Sequence, residues 1–114
     1  MNILFICSRN QWRSPTGESI YRDDPRLAVR SRGTASSARQ TIRSADLSWA
    51  DLVLVMEDKH QSRLRAEFPG ETRFLQIEVL HIPDDYKFMD KELVEMIQTA
   101  AEPIFDALIE RRRN

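Results

Sequence analysis

The sequence predicts a single α/β domain with a mostly parallel sheet, on three observations. Two short apolar runs, Asn2 to Cys7 (NILFIC) and Leu52 to Met56 (LVLVM), read as strands buried on both faces. Helical stretches alternate with them along the chain. No internal repeat, low-complexity tract or linker divides the 114 residues, which suit one core built without disulfide or metal staples.

Taken in order, Asn2 to Cys7 is the first strand. Ser14 to Tyr21 opens with Ser-Pro, a favourable helix start, with Glu18 following. Ala28 to Ser31 is a weaker strand that ends at Gly33. Trp49 stands just ahead of the Leu52 strand and reads as core. Glu57 to Phe68 is charged and periodic, a helix that stops at Pro69-Gly70. Phe74 to Ile82 is a further strand, with Phe74, Ile77, Val79 and Leu80 as its apolar content. The clearest helix runs from about Asp90 to Arg112. Its Leu93, Ile97, Ala100, Ala101, Ile104, Phe105 and Leu108 fall on one stripe at helical spacing, a core face. Asp90 suits the N-cap, and Arg111 to Arg113 suit the negative end of the helix dipole. Pro103 should kink this helix or divide it in two.

Composition narrows the function classes. Apolar residues make up 41% and charged residues 31%, as in ordinary soluble globular proteins. A net charge of −1 supplies no overall field toward nucleic acid or an acidic membrane, and neither is an expected partner. The cations are skewed, with 14 Arg against 3 Lys. Arg offers a planar fork of donors suited to oxyanions, although most such side chains are solvated surface. Cys7 is the single cysteine, which excludes an internal disulfide or a multi-cysteine metal site. The run Ile3 to Ile6 is too short for a signal-peptide core, and no segment has the apolar length of a membrane span. A cytoplasmic location is expected.

One constellation carries chemistry. Cys7 ends the first strand, and Ser8-Arg9-Asn10-Gln11-Trp12-Arg13-Ser14 leads into the first helix: Cys, five residues, Arg, Ser. Ligands of open α/β sheets bind where strands end and helices begin. A loop curling there can aim successive backbone N–H groups inward as an anion nest, and the helix that follows adds its own free N–H groups. A phosphate suits such a cup, so Ser8 to Ser14 are the candidate phosphate-binding residues. Arg13 can bond two phosphate oxygens at once and stays charged at any working pH. The cup should also hold Cys7 as thiolate, the nucleophilic form. Ionising a free thiol of pKa about 8.5 gains only about thirtyfold at neutral pH, so the larger catalytic term must lie in stabilising the transferred oxygens. One fixed donor contributes about 2.7–4 kcal/mol there. Ser14 can donate to the Cys7 sulfur or cap the helix, and the two roles are compatible.

Leaving-group departure needs an acid. Ile82-Pro83-Asp84-Asp85-Tyr86 follows the last strand and should share the sheet edge with the Cys7 loop. One of the two carboxyls would protonate the leaving oxygen and later deprotonate the attacking water. Tyr86 would wall the entrance or stack on an aromatic leaving group, and Trp12 would do likewise or pack against the sheet. His60, on a charged helix, and His81, in a strand, look ordinary, and no second ligand lies at a metal spacing from either.

These residues resemble the low-molecular-weight protein tyrosine phosphatase family. Cys7 to Ser14 match its Cys-x5-Arg-Ser after the first strand, with Asn10 at the place of a family Asn. Ser31-Arg32-Gly33-Thr34 resembles its Ser-Ala-Gly-Thr segment. Ala50 to Glu57 resembles its Ala-Asp-Leu-Ile-Leu-x-Met-Asp strand, and Asp84-Asp85-Tyr86 stands where the family has Asp-Pro-Tyr. The resemblance implies a four-stranded parallel sheet flanked by helices in a flavodoxin-like three-layer fold. It also implies hydrolysis without metal or cofactor through a phosphocysteine. By it Cys7 is the nucleophile, Arg13 the phosphate clamp, Asp84 the general acid with Asp85 the alternative, and Asn10 and Ser14 loop stabilisers. The departures are Arg9 where the family has Gly, Trp12 where it often has a second Cys, Asp85 in place of Pro, and a shortened stretch after Gly33-Thr34.

A phosphomonoester hydrolase acting on phosphotyrosine is therefore expected. Three alternatives stand beside it: a catalytically weak phosphate-binding module, an arsenate reductase, and a redox-sensing thiol. A single cysteine argues against the disulfide relay that arsenate reduction uses.

Overall fold

The computed structural model describes residues 1–113. Its elements are β1 (Asn2–Cys7), α1 (Arg13–Tyr21), β2 (Ala28–Gly33), α2 (Ser44–Trp49), β3 (Leu52–Val55), α3 (Asp58–Glu67), α4 (Pro69–Thr72), β4 (Gln76–Val79) and α5 (Lys91–Arg113). The four strands form one sheet in the order β2-β1-β3-β4, every pair parallel.

Side chains of β1 alternate between two cores, which explains why the strand is apolar throughout. Ile3, Phe5 and Cys7 face one core with Leu52, Leu54, Tyr21, Leu93, Ile97, Ala101 and Phe105. Leu4 and Ile6 face the other with Val53, Val55, Ile77, Leu47 and Leu64. Helices α1 and α5 thus cover one face of the sheet, α2 and α3 the other. Tyr21 joins three elements: its ring stacks on Phe5 at 6.1 Å and meets Phe105 edge-on at 5.0 Å. Gly17 lets α1 lie close to the sheet, because a Cβ there would sit 2.5 Å from the Phe5 ring.

Because all strands run the same way, their C-terminal ends share one edge. Cys7 pairs with Gly33, and Val55 with both Ile6 and Val79. The chain leaves β1 for β2 on one side and later returns to β3 on the other. The crevice at the end of β1 is therefore the topological switch point, the place where such sheets bind ligands.

Three expectations are corrected, and one helix is added. The last strand is shorter than Phe74 to Ile82: Phe74 lies outside it, 90% exposed under the Arg73 guanidinium, and His81 lies beyond it with φ 57°. Of the two outcomes expected at Pro103, division does not occur: α5 runs undivided past it. Pro103 is exposed, so water can take the carbonyl it orphans. Its cost of about 3 kcal/mol is outweighed by the full burial of Leu93, Ile97 and Phe105, worth roughly 1.5–3 kcal/mol each. Ser14 is not the helix cap, since α1 begins at Arg13. Finally, Ser44–Trp49 forms α2, held by Asp46, whose carboxylate accepts the Arg43 N–H at 3.0 Å. Asp90 does cap α5, accepting the Glu92 N–H at 2.9 Å.

Candidate active site

The segment after β1 folds into a cup of about 220 Å³ lined by Cys7, Ser8, Arg9, Gln11, Trp12, Arg13 and Asp84. Two backbone features shape it. Asn10 adopts φ 55°, a left-handed conformation that Asn tolerates better than most residues. Gly33 backs the loop so closely that a Cβ would lie 2.6 Å from the Ser8 carbonyl oxygen and 2.9 Å from the Asn10 nitrogen. Loop and β2 extension are then stitched together: Thr34 N–H donates to the Cys7 carbonyl, Ala35 N–H to that of Ser8, and Arg39 N–H to that of Arg9.

Beneath the cup lies a chain of directed hydrogen bonds. The Asn10 amide donates one hydrogen to Ser14 Oγ at 3.0 Å and the other to Ser31 Oγ at 2.9 Å. Ser31 passes its own hydrogen to Glu18 at 2.7 Å. Ser14 Oγ, which accepts from Asn10, lies 3.0 Å from the Cys7 sulfur and 3.4 Å from the Arg32 carbonyl; a Cys7 thiolate, with no hydrogen of its own, can only accept the Ser14 hydrogen. Asn10 and Ser14 are almost fully buried, so this geometry is fixed by packing rather than by water.

Arg13 is 2% exposed, and a buried guanidinium needs anionic company. Its Nη1 donates to Glu57 at 2.6 Å and to the Ile82 carbonyl at 2.8 Å, and its Nε lies 3.6 Å from Asp84. The Arg13 bond holds the Glu57 carboxyl below its usual range. Among the described residues Nη2 makes no bond, which leaves that prong of the fork for a ligand.

His60 is not the ordinary surface histidine expected. It is 1% exposed, and its Nδ1 accepts the Glu57 N–H at 3.0 Å. A neutral ring that accepts at Nδ1 carries its hydrogen on Nε2. That hydrogen goes to Ser8 Oγ at 2.9 Å, so the Ser8 hydroxyl keeps its own for another acceptor. Burial, helped by the Arg13 charge, pushes His60 down to about 4.

The structure brings Cys7, Ser8, Arg9, Gln11, Trp12, Arg13 and Asp84 to one cavity, with Asn10 and Ser14 directly behind it. Asp85 is exposed and not among the lining residues, and Tyr86 packs against the core beside α5. Sequence reasoning missed Glu18, Ser31, Glu57 and His60 as parts of the site.

No family model matches the chain, and no curated protein matches it in sequence. Solved structures do. A low-molecular-weight phosphotyrosine phosphatase from Vibrio cholerae superposes with a TM-score of 0.78 at 20% identity, covering 97% of this chain and 98% of that one. The chain has the fold of the low-molecular-weight phosphotyrosine phosphatases. The tyrosine phosphatase Wzb from Escherichia coli K30, in complex with phosphate, gives 0.75 at 24% identity over 94% of this chain and 97% of that one. The YwlE arginine phosphatase from Geobacillus stearothermophilus gives 0.71 at 20% over 96% of each. This low-molecular-weight phosphatase fold, a four-stranded parallel sheet between helices, matches the architecture anticipated above.

Proposed function

We propose that the chain is a cysteine-dependent phosphomonoester hydrolase with phosphotyrosine as its leading substrate class. The observation that carries this is the Cys7 sulfur in a loop cup, 3.0 Å from the Ser14 hydroxyl, with Arg13 and Asp84 on the wall.

In the proposed reaction the Cys7 thiolate attacks phosphorus as the ester P–O bond breaks, and Asp84 gives its proton to the leaving oxygen. Arg13 and the loop N–H groups hold the equatorial oxygens, whose charge is greatest in transfer. Asp84, now a carboxylate, takes a proton from water as that water attacks the phosphocysteine. Phosphate leaves, and the sulfur departs as a thiolate stabilised by the Ser14 hydroxyl. Asp84 is preferred over Asp85 because it lines the cup and approaches Arg13. A reducing compartment such as the cytoplasm suits a working thiol with no second cysteine to protect it.

The test is hydrolysis of p-nitrophenyl phosphate. Cys7→Ser is expected to abolish turnover, and Asp84→Asn to lower kcat by about 10²–10⁴, whereas Asp85→Asn leaves it nearly unchanged. Loss with Asp85→Asn instead reassigns the acid. Tight phosphate binding with no turnover in the wild type would mean a binding module. Phosphotyrosine peptide and phosphoarginine, assayed in parallel, separate a tyrosine phosphatase from an arginine phosphatase such as the structurally similar YwlE.

A further inference from the structure

Beside the cup lies a larger cavity of about 510 Å³, walled by Arg32, Arg39, Gln40, Thr41, Arg43 and Asp46. We propose that it is a second anion subsite, which takes the Asp or Glu side chains flanking the phosphorylated residue of an acidic peptide substrate. The proposal rests on the phosphatase reading above and names the substrate subclass.

Three observations support it. The first is position. Arg39 lines this cavity, and its N–H donates to the carbonyl of Arg9, which lines the cup, at 3.0 Å. The two concavities therefore adjoin across one backbone contact. An extended peptide advances about 3.3 Å per residue, so residues within a few positions of the phosphorylated one fall over the second cavity.

The second is uncompensated charge. Among the described residues Asp46 is the only carboxylate in the wall, and it is committed: its oxygens lie 3.4 Å from Arg30 and 3.2 Å from Arg32, and one accepts the Arg43 N–H. Arg30 is further held over the Trp49 ring at 4.1 Å. Among the described residues, the side chains of Arg9, Arg39 and Arg43 have no carboxylate within ion-pair distance. The chain as a whole carries −1, so a local surplus of guanidinium is not the overflow of a basic protein. Fork-shaped donors beside a phosphate cup fit carboxylates two oxygens at a time.

The third is rigidity. The loop bearing these residues is tied down on both sides, by Gly33 N–H to the Gln40 carbonyl at 2.8 Å and Ile42 N–H to the Gly33 carbonyl at 2.9 Å. Within it, Ala38 N–H donates to the Ala35 carbonyl. Arg39 and Arg43 are thus presented from a fixed frame, which lowers the entropic cost of engaging a peptide.

The experiment compares phosphotyrosyl peptides of one length flanked by Glu, by Gln or by Lys, with p-nitrophenyl phosphate as a substrate that lacks flanks. Two exposed ion pairs of about 0.7 kcal/mol each predict a preference of roughly tenfold in kcat/KM for the Glu peptide over the Gln peptide. It should be carried mainly by KM and weaken as salt is raised. In the Arg39→Gln/Arg43→Gln variant the preference should fall to about one, while p-nitrophenyl phosphate turnover stays within about twofold. Arg39→Glu/Arg43→Glu should invert it in favour of the Lys peptide.

Binding of the same peptides to Cys7→Ser, followed by fluorescence anisotropy, reads the preference without turnover. Failure of the chemistry and failure of the subsite are therefore separate results. Equal binding of Glu and Gln peptides, or a preference that survives both double variants, overturns the proposal.

Discussion

Ser14 has one hydrogen to give, and the charge on Cys7 decides where it goes. The Asn10 amide holds Ser14 Oγ 3.0 Å from the Cys7 sulfur, nearer than the Arg32 carbonyl at 3.4 Å, so a Cys7 thiolate, which can only accept, takes the hydrogen. Arg13 is specified in the same way from behind. Glu57 and the Ile82 carbonyl share Nη1, and this fixes the plane of the guanidinium and leaves Nη2 free. A lysine could keep the charge and one bond to Glu57, but it has no second prong held in that plane. Arg13→Lys is accordingly expected to reduce kcat/KM on p-nitrophenyl phosphate by about a hundredfold or more. A loss below about tenfold would mean that charge, not the fork, is what the site uses.

At the scale of elements, the cup depends on β2 approaching the loop without a side chain in between. Gly33→Ala would force a Cβ against the backbone of Ser8 and Asn10, neither of which can rotate away. A backbone shift costing roughly 1–3 kcal/mol is expected, centred on the Cys7 loop. In the wild type, vanadate in the cup is expected to shield Cys7 from alkylation; the variant should fold, yet lose that shielding. Gly70→Ala is the counterpart. Nothing lies within 4 Å of a Cβ there, and the position is helical, so stability should hold or rise by up to about 1 kcal/mol. Vanadate protection equal to wild type in Gly33→Ala would show that the close approach does not shape the nest.

The same elements show what was readable in advance. β1, β3 and α5 were legible because each carries a long apolar signal of one period: unbroken in the buried strands, at helical spacing in α5. Helix α2 was not, since six residues with only Asp46 and Leu47 buried give no period to detect. Phe74 misled the reading of β4, being apolar yet outside the core and 90% exposed. In the site, Cys7 to Ser14 declared itself because the loop is local. Ser31, Glu57 and His60 meet it across 21, 44 and 52 residues of chain, and no spacing rule reaches that far. Only the strand order, which gathers four C-terminal ends at one edge, brings them in.

For the molecule as a whole, these contacts make the site part of the acid stability of the fold. His60 titrates near 6.5 when exposed, but burial beside Arg13 pushes it down to about 4 in the folded protein. Between those values the unfolded chain binds a proton that the folded chain refuses, so stability rises with pH across the window. The contribution is complete above about 6.5 and is lost as the pH falls toward 4. From pH 7 to pH 5 the loss from this one group is roughly 2 kcal/mol, or a fall in Tm of about 8 °C for a domain of this size. The carboxyls of Asp24, Asp51 and Glu57 are also lowered, by Arg26, by the Asn2 N–H and by Arg13 respectively. Their stabilisation disappears only as the pH drops below the ordinary carboxylate range, so it leaves this window nearly untouched. His60→Gln keeps a donor within reach of Ser8 and removes the titration. Its Tm at pH 7 is expected to be slightly lower than wild type, and its fall between pH 7 and pH 5 much smaller, so that the two melting curves converge as the medium is acidified. Parallel pH profiles for the two proteins would mean that His60 is not held neutral beneath the loop, and the orientation assigned to the Ser8 hydroxyl would fall with it.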